Sequence, residues 1–219
     1  MRGLYVIVDV GTLRTHGLDP VRFTQAVLGA APVAVQLRAK ELPSREVLAL
    51  LRTLAPMCRR VGVPLVANDR ADLAVFAGCD MVHVGQDDTA IELVRRIAPN
   101  LGVGISTHNL EQLEQALEHR PTYVAFGPIY PTLTKQVSNP IVGLELLEQA
   151  TERARRVGVP LVAIGGITSD RVAEVARRAD ACACVSALLP PAMSTDPYGD
   201  TLRRAQVLKA AFGIPQAAE

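Results

Sequence analysis

The alternation of short apolar runs with amphipathic stretches most restricts what this chain can fold into. Runs rich in Val, Ala and Ile occupy residues 4–10, 33–37, 64–67, 81–84, 102–105, 123–126, 161–164 and 181–185. Each is apolar on both faces, the pattern of parallel strands covered on both sides. Helical stretches fall between them, at 20–28, 44–60, 72–77, 89–97, 110–117, 144–157, 169–178 and 201–212. Asp19 and Asn109 stand where N-caps belong, and Val47, Leu48, Leu51 and Leu54 form one stripe. Gly158 sits where a helix would end. Eight strands, each followed by a helix, in 219 residues is the count of an α/β fold of the (β/α)8 TIM-barrel type. A doubly wound sheet needs fewer strands and a switch point. The expectation is a single domain over 1–219, with the barrel at about 4–189 and a loop and last helix at about 190–213. The phrase RRVGVPLVA occurs twice, at 59–67 and 155–163, each copy carrying a helix end into a strand. Half-repeats of a barrel, or convergence on one good turn, would both produce it.

A net charge of +1 provides no global field for nucleic acid or an anionic membrane, so any anion binding must be local. No apolar run approaches the ~18–20 residues of a membrane span, and the N-terminal residues show no signal-peptide pattern. Cys58, Cys79, Cys182 and Cys184 form no CxxC pair and read as small core residues of a reducing compartment. The expected location is the cytoplasm, with small molecules as partners; a homo-oligomer is left open.

In such a barrel the chemistry sits at the C-terminal ends of the strands. After the second strand, Gln36, Arg38 and Lys40 alternate with Leu37 and Ala39, which puts the three polar groups on one face. They call for an anion, unless they form an ion-pair set with Glu41. Asn68 and Asp69 end the third strand and Asp87-Asp88 follow the fourth. Carboxylates on neighbouring strands beside cations suit Mg2+ bridging a diphosphate, although both could cap helices. Ser106 ends the fifth strand, and His108 reads as a structural helix-start histidine more than a base. A long loop after the sixth strand carries Thr132, Leu133, Thr134 and Lys135. Gly165-Gly166 and Val185-Ser186 end the last two strands, the usual phosphate site of these barrels. Two anion sites emerge, one for a diphosphate with a metal and one for a monophosphate.

With these residues in view the chain resembles the thiamine phosphate synthase family. The resemblance is carried by LYVIVD (4–9), VQLRAK (35–40), NDRADLA (68–74), VHVGQDD (82–88), GISTH (104–108), FGPIYPTLTK (126–135), AIGGI (163–167) and VSAL (185–188). It implies a TIM barrel that joins 4-amino-2-methyl-5-(diphosphooxymethyl)pyrimidine to a thiazole phosphate, or its carboxylated form, with loss of diphosphate. Gln36, Leu37, Arg38, Ala39, Lys40, Asn68, Ser106 and Lys135 then correspond to the pyrimidine diphosphate site. Thr132, Leu133, Thr134, Gly165, Val185 and Ser186 correspond to the thiazole phosphate site. Asp69 and Asp88 correspond to Mg2+ ligands. Arg38, Lys40, Lys135 and Ser106 would assist departure of the diphosphate. Two positions depart from the family pattern: Ala39 replaces an acid, and Thr89-Ala90 replaces an apolar residue and proline. The alternatives are a thiazole tautomerase on the same barrel or a non-catalytic thiamine phosphate-binding protein.

Overall fold

The structure, a computed structural model, describes residues 1–132 and 140–213. Its strands are β1 (Gly3–Asp9), β2 (Ala34–Arg38), β3 (Leu65–Asn68), β4 (Met81–Val84), β5 (Gly102–Thr107), β6 (Tyr123–Phe126), β7 (Leu161–Ile164) and β8 (Ala181–Cys184). All pair in parallel, and β1 meets β8, closing a barrel in chain order. Among the described residues the helices are α1 (Val10–Thr15), α2 (Pro20–Leu28), α3 (Ser44–Arg60), α4 (Ala71–Ala77), α5 (Ile91–Ile97), α6 (Leu110–Glu118), α7 (Gly143–Arg156), α8 (Val172–Arg178) and α9 (Pro197–Ala210). No described helix is long and apolar enough to cross a membrane.

Alternation along the strands builds two apolar layers. Leu4, Val6 and Val8 of β1 face outward and pack with Leu37, Phe126, Cys182 and the apolar stripes of the helices. Tyr5 and Ile7 face inward with Val66, Met81, Tyr123, Ala125, Val162 and Ala183. All four cysteines are free thiols; Cys182 and Cys184 share the outward face of β8, their sulfurs 3.8 Å apart.

The repeated phrase folds the same way twice. Gly62 (φ 69°) and Gly158 (φ 72°) each end a helix in the left-handed region. The next residues, Val63 and Val159, donate back to Cys58 (3.1 Å) and Ala154 (3.0 Å). Asp80 then accepts from Leu65 N–H at 2.8 Å, and Asp180 from Leu161 N–H at 3.0 Å. The copies open β3 and β7, four strands apart and so on opposite sides of the barrel.

Helix starts differ most from the sequence expectation. Asp9 closes β1 and caps α1, a helix the periodicity did not announce, by accepting Thr12 N–H at 2.8 Å. α5 begins at Ile91 rather than 89, and α8 at Val172 rather than 169, because the preceding residues are spent in turns. α9 starts at Pro197 instead of 201: Asp196 accepts from Gly199 N–H, and proline suits the first turn. Asp19 and Asn109 cap α2 and α6 as expected.

Candidate active site

The polar residues of β2 separate as alternation requires. Gln36 lies inside the barrel, 3% exposed, while Leu37 and Ala39 pack toward the helices and leave only their backbone for a ligand. The removal of an acid at position 39 is therefore a packing change. Arg38 pairs with Asp9, its register neighbour on β1. Lys40 Nζ lies 3.2 Å from Asp69 Oδ2. The described partners of both cations are thus Asp9 and Asp69 rather than Glu41.

Neither Asp69 nor Asp88 caps a helix. Asp69 takes a left-handed conformation (φ 63°) directly after β3, and its N–H donates to the His83 carbonyl at 2.7 Å. Asp88 Oδ2 accepts from Gly85 N–H at 2.7 Å. A Cβ on Gly85 would lie 2.9 Å from that oxygen, so a side chain there would push the Asp88 carboxylate aside. Burial, and then the facing Asp88 carboxylate, raise the Asp69 carboxyl above its ordinary range against the opposing pull of Lys40. Asp88 lines this cavity with Asn68 and Asp69, and Asp87 does not. Ala90 precedes α5 at φ −59° and ψ 146°, the backbone a proline would have supplied, so the Thr89-Ala90 departure preserves the turn.

The opposite side of the mouth is built from backbone. A Cβ on Gly127 would lie 2.0 Å from the Ile164 carbonyl oxygen, and one on Gly165 (φ 101°) 2.6 Å from Pro128 Cα. Ile129 N–H donates to Ile164 O at 2.9 Å and Tyr130 N–H to Gly165 O at 3.1 Å, joining the loops after β6 and β7. Arg171 reinforces the join by donating to Gly166 O at 3.0 Å while lying 4.6 Å over the Tyr130 ring. Thr132, Gly165, Val185 and Ser186 line one cavity here. His108 lines it too, and its Nδ1 meets the Gly127 carbonyl at 2.7 Å. A carbonyl only accepts, so that nitrogen carries a proton and the ring braces the β6 loop. Leu133, Thr134 and Lys135 lie outside the described residues.

The two cavities meet. Ile7, Arg38, Ser106, Ala125, Ile164 and Ala183 line both, giving a shared apolar floor with Arg38 and Ser106 at the seam. In the wall of the cavity that holds Asp69 and Asp88, Gln36, Tyr5, Tyr123, His83 and Ser106 are hydrogen-bonded in succession. Gly104 makes room for this: a Cβ there would lie 2.1 Å from Tyr123 Cζ. Sequence reasoning missed Asp9, Tyr5, Tyr123 and His83. A lone acid closing an apolar strand was the available signal for Asp9; the others depend on cross-strand register.

Fold and mouth together place the chain among the (β/α)8-barrel enzymes. A family model described as thiamine monophosphate synthase matches residues 4–188. The thiamine-phosphate synthase of Chloroflexus aurantiacus is 40% identical over 187 residues, covering 85% of this chain and 84% of that protein. The Anaeromyxobacter dehalogenans thiamine-phosphate synthase is 40% identical over 218 residues, covering 99% and 90%. The structure of thiamine phosphate pyrophosphorylase from Pyrococcus furiosus superposes with a TM-score of 0.81 at 31% identity, covering 96% and 97%. The chain belongs to the thiamine monophosphate synthase family, and its class of activity is that of a transferase.

Proposed function

We propose that the protein condenses 4-amino-2-methyl-5-(diphosphooxymethyl)pyrimidine with 4-methyl-5-(2-phosphooxyethyl)thiazole to thiamine phosphate and diphosphate, or with the carboxylated form of that thiazole, in which case CO2 is released as well. The observation that supports this most is the pair of dissimilar cavities joined at Arg38 and Ser106. One offers charge for a diphosphate and the other offers backbone for a monophosphate, and the shared floor lets the two organic rings touch.

Gln36 and Asn68, with the backbone of Leu37 and Ala39, orient the pyrimidine donor. Asp69 and Asp88 fit a hard divalent cation. Both are oxygen donors, and burial together with the facing Asp88 carboxylate makes Asp69 hold its proton more tightly than usual. They would hold Mg2+, which would neutralise charge on the leaving group. The C–O bond to the diphosphate breaks first, its electron pair leaving with the diphosphate. Arg38, Lys40 and Lys135 balance the charge on the departing group, and Ser106 donates to it. The cation left on the pyrimidine methyl carbon is stabilised by the ring amine and captured by the thiazole nitrogen lone pair. Thr132, Leu133, Thr134, Gly165, Val185 and Ser186 hold the acceptor through its phosphate, so that its nitrogen faces the cation. No protein nucleophile is required. Mixing both substrates with Mg2+ should release diphosphate and thiamine phosphate in equal amounts. No release, with the thiazole phosphate still isomerised, would replace this reading with the tautomerase one. Binding of both without turnover would leave a binding protein.

A further inference from the structure

Five side chains from five strands form a continuous hydrogen-bonded row across the barrel interior. Gln36 Nε2 donates to the Tyr5 hydroxyl, which meets the Tyr123 hydroxyl. That hydroxyl meets His83 Nδ1, and His83 Nε2 meets Ser106 Oγ; every contact is 2.8 Å. None of the five residues is more than 9% exposed, so a misdirected proton inside the row is costly.

We infer that the row has a single polarity set by the Gln36 amide, which makes Tyr5, Tyr123 and His83 positioning residues that commit the Ser106 hydroxyl to donating into the mouth. Counting protons gives the direction. An amide N–H only donates, so Tyr5 accepts it, and because a buried hydroxyl proton needs an acceptor, Tyr5 gives its own to the Tyr123 oxygen that it meets at 2.8 Å. Tyr123 in turn donates to His83 Nδ1. A ring nitrogen that accepts is bare, so neutral His83 carries its proton on Nε2 and donates it to Ser106 Oγ. Ser106 accepts inside the row and turns its proton outward. Bonds aligned in this way polarise one another in a low-dielectric interior, which strengthens the last donor. Burial above all raises both tyrosines beyond the ordinary phenol range, so they stay neutral.

The opposite polarity would carry opposite chemistry. With the Gln36 amide reversed, Nδ1 would be protonated and Nε2 would accept the Ser106 proton, the arrangement of an activated nucleophile. A diphosphate leaving group offers acceptors only, so a committed donor suits it; this step rests on the proposed reaction.

Ring-nitrogen spectroscopy on the intact unliganded protein, with His83 assigned by through-bond correlations, tests the polarity. The expected result is a bare Nδ1 and a protonated Nε2; a protonated Nδ1 overturns the inference. Kinetics test the link to Ser106. Tyr123→Phe should lower kcat about tenfold, the effect of one ordinary hydrogen bond, with both KM values unchanged. Adding it to Ser106→Ala should cost nothing further, whereas full additivity would show that Tyr123 does not act through Ser106. If the protein releases no diphosphate at all, the proposed reaction fails, and the tautomer still decides the polarity.

Discussion

Across the mouth, β2, β3 and β4 lead into Arg38, Lys40, Asp69 and Asp88, whereas β6, β7 and β8 lead into Gly127, Gly165, Gly166 and Val185. The first side is defined by which charge faces which: Arg38 by Asp9, Lys40 by Asp69, and Asp69 by Asp88. The second is defined by the Cβ atoms it lacks, since the chain at Gly127, Gly165 and Gly166 approaches its neighbours too closely for any side chain. The difference follows from the anions proposed for each. A metal-bridged diphosphate must be met with formal charge, which only side chains carry. A monophosphate can be met by N–H groups, which any residue offers where the backbone comes close enough. The two sides should therefore fail by different edits, one by neutralising a carboxylate and the other by adding a methyl group.

Asp69→Asn should cause the largest loss. The diphosphate side would lose half its metal-binding charge, and kcat should fall on the order of 10²–10³-fold, the scale for removing a preorganised group. Rates measured across Mg2+ concentrations should show partial rescue by excess metal; an unaltered metal requirement would remove Asp69 from that role. Gly165→Ala should break the other side. It imposes a side chain at φ 101° and 2.6 Å from Pro128, and KM for the thiazole phosphate should rise roughly tenfold or more alongside ~1–3 kcal/mol of backbone strain. Substrate-specific KM values and urea melts check both, and an equal rise for the pyrimidine would erase the distinction between the sides. Thr132→Val is milder, raising the thiazole phosphate KM about threefold, within the worth of one hydrogen bond. An effect confined to the pyrimidine would move this loop to the other side.

The smallest effect is on stability, and its sign is informative. The folded state holds the Asp69 proton more tightly than the unfolded chain, because burial and Asp88 raise that carboxyl. Between the unfolded value near ~3.9 and the raised folded one, the folded state binds more protons, so stability falls as pH rises through that window. Asparagine carries no such penalty. Metal-free Asp69→Asn at neutral pH should melt at or slightly above the parent protein, and a clear drop in Tm would mean that the Lys40 pair outweighs the repulsion.

The barrel was legible because its strands are short and apolar on both faces, a pattern few other folds require. Arg38, Lys40, Asp69 and Asp88 were legible for the same reason, as polar residues interrupting the ends of apolar runs. The partners that orient them were not. Asp9 reaches Arg38 only through the register of β1 on β2, and Tyr123 enters the barrel only because Gly104 stands beside it on β5. Helix starts at α5, α8 and α9 moved because turn residues on the approach can continue either way until the tertiary contacts form. At α9, the Asp196-Pro197 pair did carry the local signal.

Anomalous diffraction from crystals grown with diphosphate, thiazole phosphate and Mn2+ in place of Mg2+ tests the division of the mouth most directly. The prediction is a metal peak between Asp69 and Asp88 with diphosphate against Arg38 and Lys40, and a separate monophosphate on Gly165, Gly166 and Ser186. A metal peak away from both carboxylates, or both anions on one side of the seam, would contradict it.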